Sequence, residues 1–125
     1  MADRIPILRI ENVLIASIQT SLDDQTVVSF QMDLLEALSD SGAYGVVIDV
    51  TAVDVVDSFM ARSLSDLATA TRLLGAQPVI VGLQPPVAIT LVEMGLTIPG
   101  AATALDLERG LRMIREHAPQ QADGE

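Results

Sequence analysis

GVVIDVTAVDVVDSFMARSL, residues 45–64, is the stretch that decides the fold. Its opening, GVVIDV (45–50), is a β-branched run without alternation, the pattern of a central strand buried on both faces. After Ser58 the pattern changes. Met60, Leu64, Leu67, Ala68 and Leu74 recur at helical spacing and are expected to be buried, while Arg62, Asp66 and Thr69 are expected to be exposed. A helix over about 58–74, ended by Gly75, is predicted, with TAVDVVD as the strand-to-helix loop.

The flanks repeat this alternation of strand and helix. IPILRIENVLIASIQ alternates loosely around Glu11-Asn12 and predicts a hairpin of strands 7–10 and 13–18. SLDDQT then offers Ser21, Asp23 or Asp24 as a helix cap. Over 24–41, Val27, Phe30, Leu34 and Leu38 share one face; Ser29, Asp33, Glu36 and Asp40 share the opposite one, and Gly42 follows as terminator. Beyond the second helix, Pro78 precedes a buried strand VIVGL, and Gln84-Pro85-Pro86 opens a helix through Val87, Leu91 and Met94 to Gly95. A brief strand at 97–98 or 101–104 and a helix 106–116 capped by Asp106 complete the order ββαβαβα(β)α. The fold class is α/β: one domain, 1–117, with a mixed sheet, parallel central strands and a flexible C-terminal tail over 118–125.

Composition narrows the chemistry. Half of the 125 residues are hydrophobic and the net charge is −10, which repels phosphate backbones and anionic bilayers; neither nucleic acid nor membrane is expected as a partner. No apolar run approaches the roughly 18 residues of a spanning helix, and MADRIPILRI lacks a basic-then-apolar signal pattern, so the expected compartment is the cytoplasm. All seven basic residues are arginines, which excludes a Walker A or Schiff-base lysine. With no cysteine and a single histidine, His117, neither a zinc site nor a Ser-His or Cys-His pair has its components. No cofactor and no catalytic role are expected.

The junction remains. Asp49 lies near the carboxyl end of a buried strand, and Asp54, Asp57 and Ser58 follow at the mouth of a helix, the edge where ligands and regulation concentrate in open α/β sheets. A helix amino terminus supplies free N–H donors and partial positive charge, so a serine there is placed to hold a phosphate. The plainer reading makes Ser58 the N-cap and the three acids solvated caps; magnesium between them is a less common use. No base accompanies the hydroxyl, so it is better suited to receiving a group than to transferring one. Val55, Val56 and Phe59, with the Gln84-Pro85-Pro86 loop, form either a contact patch or part of the core.

The order of elements together with IDVTAVDVVDSFMA resembles the STAS fold, the domain of anti-sigma factor antagonists, in which a strand ending in Asp leads through a short apolar loop to an Asp-Ser pair opening a helix. The resemblance is closer to the branch of small single-domain stressosome scaffolds. IPILRIENVLIASIQ, LDDQT, GVVIDVTAVDVVDSF, LLGAQPVIVGLQPPVAITLVEMG and TALDLERGL all look like that branch, and together they cover nearly everything but the tail. The resemblance implies a non-catalytic scaffold and negative regulator of stress signalling. Its Ser58 would be phosphorylated by a switch serine/threonine kinase and restored by a cognate serine phosphatase. It further implies co-assembly with sensor-domain STAS paralogues into a large hetero-oligomeric complex that sequesters the kinase until Ser58 is modified. Phe59-Met60-Ala61 stands where the wider family has a small residue and glycine, a departure shared with the scaffold branch. Thr90 matches a second acceptor of the sister scaffold, with helix packing or surface as its plainer role. Arg62 either reaches the phosphate or pairs with Asp66. The competing expectation, a cytosolic STAS subunit of a membrane transporter or a nucleotide-binding STAS module, lacks a Gly-rich phosphate cradle with lysine.

Overall fold

The computed structural model describes residues 5–19, 23–95 and 101–116. A five-stranded sheet in the order β1-β2-β3-β4-β5 is built from β1 (Ile7–Ile10), β2 (Val13–Ser17), β3 (Gly45–Asp49), β4 (Gln77–Val81) and β5 (Ala102–Ala104). The β1–β2 hairpin is antiparallel and the other three pairings are parallel. Four helices connect or cover them: α1 (Asp24–Ser41), α2 (Ser58–Leu73), α3 (Pro85–Glu93) and α4 (Leu107–Glu116). The fold class and element order match the expectation; the expected tail, together with the 97–98 strand option, lies outside the described residues.

Because side chains alternate along a strand, the central strands feed two cores. Leu14, Ala16, Val46, Ile48 and Ile80 point to the face covered by α1, α2 and α3, where Phe30, Leu34, Leu38, Met60, Leu64, Leu67, Val87 and Leu91 meet them. Val13, Ile15, Val47, Val79 and Val81 point to the other face, against Ile114 of α4. Glycine makes the second layer possible. A Cβ at Gly110 would stand 2.6 Å from Val81 Cγ1, and one at Gly45 would run into Ile114 Cγ2, so α4 lies closer to β3 and β4 than larger residues permit.

Helix ends follow their sequence signals. Asp23 caps α1 by accepting from Thr26 N–H at 2.7 Å, and these hydrogen bonds hold its carboxyl below the ordinary value. Gly42 ends the helix at φ 68°, donating to Leu38 O. Asp106 accepts from Arg109 N–H at 2.8 Å and caps α4.

Three expectations are corrected. Pro78 lies inside β4 rather than before it. Gln77 N–H donates to Tyr44 O on the β3 side, so Pro78's missing donor faces the β5 side, and β5 pairs only from Val79 onward. Leu74 is 52% exposed because α2 stops at Leu73 and the chain turns through Gly75 at φ 90°. Met94, expected inside the third helix, lies just past its end at Glu93 and is exposed.

Replacing Gly110 by valine should cost about 1–3 kcal/mol, because overpacking against Val81 outweighs the gain in helix propensity. Urea denaturation is the measurement, and an unchanged midpoint would show that α4 has room to retreat.

Candidate functional site

The loop from β3 to α2 is held by buried pegs. Val50, Val53 and Val56, three residues apart, are sunk into the core at 2%, 1% and 6% exposure. Val53 N–H donates to Val50 O at 2.9 Å, closing a tight turn. What lies between the pegs and just beyond the last one is pushed outward: Asp54, Val55, Asp57, Ser58 and Phe59 are exposed. Val56 therefore leaves the expected contact patch and joins the core, since inward spacing continues to the helix start. Val55 at 64% and Phe59 at 38% remain on the surface.

Asp49 has a structural task. Its Oδ1 accepts from Thr51 N–H at 2.9 Å and from Thr51 Oγ1 at 2.6 Å, folding the strand exit into an Asx turn. The turn is braced from β4's exit, where Gln84 Nε2 donates to Thr51 O at 2.6 Å. Gly82, at φ 80°, packs so close that any Cβ would strike Thr51 Oγ1. Two strand exits are thus fastened together beneath the helix mouth.

Asp57, not Ser58, is the N-cap. Its backbone is extended and its Oδ1 accepts from Met60 N–H at 2.8 Å. The first turn closes with Ala61 N–H donating to Asp57 O at 3.0 Å. Ser58 is consequently the first helical residue, and it is exposed. The N–H groups of Ser58 and Phe59 precede the first intrahelical bond and have no helical acceptor. No acid other than the cap stands in this turn, so its partial positive charge meets Asp57 at the cap.

The other expected residues are more dispersed. Asp49, Asp54 and Asp57 form no metal-holding cluster among the described residues. Arg62 is exposed one turn along α2 and makes no ion pair with Asp66 among the described residues. Thr90 is half-buried on α3, its hydroxyl donating to Pro86 O at 2.9 Å, the plain back-bonding of a helical threonine. No helix of the described residues is long and apolar enough to cross a membrane. The feature that sequence reasoning missed is the clamp of Thr51, Gly82 and Gln84; a glycine just past a buried strand was its visible signal.

A strand exit tied by its own aspartate, a pegged loop and an Asp-Ser pair opening a helix define a class: the chain belongs to the STAS-domain family, whose model matches residues 4–103. Within that family it is similar to stressosome proteins. The S58E variant of RsbS from Moorella thermoacetica is 40% identical, with a TM-score of 0.83, covering 92% of this chain and 97% of that one. A chain in the molecular architecture of the stressosome, a signal integration and transduction hub, is 38% identical, with a TM-score of 0.77 over 92% of this chain and all of its own length (100%). The RsbT co-antagonist protein RsbRA of Bacillus subtilis is 28% identical over 106 residues, 85% of this chain but 39% of that protein. The chain thus spans about two-fifths of that longer relative.

Asp57→Ala should lower stability by about 1 kcal/mol through loss of the cap, with Asp57→Asn keeping most of it. The check is a reduced denaturation midpoint at constant slope. Equal midpoints for the parent chain and the Asp57→Ala variant would show that the Val56 peg alone sets the helix start.

Proposed function

We propose that this chain is a stressosome scaffold whose hold on a switch serine/threonine kinase is governed by phosphorylation of Ser58. The observation that carries the reading is the position of that hydroxyl: exposed at the first residue of α2, on a backbone pegged by Val53 and Val56 and capped by Asp57. Its likeness to RsbS and to a chain of the stressosome supports the same reading. So does its likeness to a protein named as an RsbT co-antagonist. The function is regulatory rather than catalytic, and the assembly is a large hetero-oligomer with sensor-domain STAS paralogues. A cognate serine phosphatase resets the switch, and the setting is the cytoplasm.

The mechanism is a local charge change with two separable effects. A phosphate adds about −1.5 to −2 charges and three strong acceptors. Toward its own helix it is favourable, since the N–H groups of the first turn point at it. Toward a docked partner it is unfavourable, because it arrives beside Asp54 and Asp57 on a surface that must shed water to bind. Val55 and Phe59 supply the apolar part of that surface, and Arg62 lies one turn beyond it.

Because Ser58 is not the cap, an acid at 58 should be tolerated by the fold as a favourable first-turn charge. The S58E form of Moorella RsbS, altered at its own position 58, keeps this architecture. Incubation with the neighbouring kinase and ATP, followed by mass mapping, should label Ser58 and leave Ser58→Ala unlabelled. Ser58→Ala should retain the kinase on a sizing column in the presence of the sensor paralogue, while Ser58→Asp should weaken capture about tenfold or more. Equal capture by the two variants would remove the charge switch.

A further inference from the structure

Gln84 stands at the N-cap of α3, yet its side chain makes no cap bond to that helix. The helix has little need of one. Pro85 and Pro86 open its first turn and carry no N–H, and Ala88 N–H donates to Gln84 O at 3.0 Å. The side-chain amide of Gln84 is therefore free to serve elsewhere. Its Nε2 donates to Thr51 O at 2.6 Å, across 33 residues of chain.

Thr51 is where the loop to Ser58 leaves β3. Asp49 Oδ1 holds it from its own strand, accepting from its N–H and its hydroxyl, and a Cβ at Gly82 would strike that hydroxyl. Further along, Val53 and Val56 anchor the loop in the core. These restraints differ in kind. Buried valines resist withdrawal but tolerate small rotations of the backbone, because apolar burial has no direction. A hydrogen bond has one. The bond from Gln84 also comes from a different strand exit, so it sets the tilt of the loop against β4 and α3.

We infer that, given the Ser58 switch on which this rests, Gln84 is a positioning residue for phosphorylation of that serine. It acts through Thr51 and the loop rather than on the reacting atoms. In the transfer, Ser58 Oγ attacks the γ-phosphorus of ATP held by the kinase. The new O–P bond forms as the P–O bond to ADP breaks, and the serine proton passes to a base of the kinase. In-line attack is sensitive to misplacement of about 1 Å, so the tilt of the loop matters to it. A loop that samples several tilts offers the kinase only the fraction that is correctly presented, and KM rises by the inverse of that fraction.

The test uses the full chain with the kinase and ATP, and compares the parent with two variants. Gln84→Met keeps the reach of the side chain and removes the donor; Gln84→Lys restores a donor. Loss of one such bond should raise KM for the chain about fivefold in Gln84→Met, with kcat unchanged. Hydrogen exchange of the Val53 amide, which donates to Val50 O, should quicken by a similar factor. Gln84→Lys should return both to within about twofold of the parent. The urea midpoint of all three chains should agree, because the bond lies at the surface. An unchanged KM in Gln84→Met, on a chain still labelled at Ser58, overturns the assignment and leaves the switch standing. A raised KM accompanied by a lowered midpoint also overturns it, since that marks a merely structural role, as does one that Gln84→Lys fails to reverse. Absence of label at Ser58 in the parent removes the switch and the positioning role together.

Discussion

Burial of β3 on both faces is the constraint on which the rest of the structure depends. Val46 and Ile48 face one core and Val47 the other, all with no exposed surface, so helices must cover both sides. The three long connections place α1, α2 and α3 on one side; only α4 is left for the other, and it is a short helix of 10 residues. Coverage by so short an element requires close approach, which Gly45 and Gly110 provide. A parallel sheet of this kind also sets the location of function: β3 and β4 leave the sheet on the same edge, and their exits are the two loops tied by Gln84 and Thr51.

Rigidity of that edge is what gives Ser58 a defined position. Buried valines at 50, 53 and 56 leave the loop little freedom, and the hydrogen bonds of Asp49 to Thr51 and of Asp57 to Met60 fix its two ends. A partner docking there meets a preformed surface and loses little in ordering it. The aspartates nearest the serine therefore have different duties. Asp49 and Asp57 are bound into the backbone, whereas Asp54 projects from the turn between two pegs. Asp54 is the acid most available to act on a partner.

Much of this was legible from residue order because local and tertiary preferences agree. Helix α1 runs from 24 to 41 as its capping aspartate and terminal glycine indicate, and the hairpin closes at Glu11-Asn12, where Glu11 takes a positive φ of 56°. The differences arise where pattern alone underdetermines direction. A run such as Val53-Asp54-Val55-Val56 has no strand or helix period, so only the fold reveals that Val56 turns in and Val55 out. Asp57 and Ser58 are both good caps; the choice fell to Asp57 because burial of Val56 fixes where the helix begins.

The mouth of α2 is where added charge acts most directly. At its mouth, attraction and repulsion meet within one turn: the free N–H groups favour an anion while Asp54 and Asp57 oppose more negative charge. Under the proposed switch, a small change in net charge there would alter docking while leaving the fold intact.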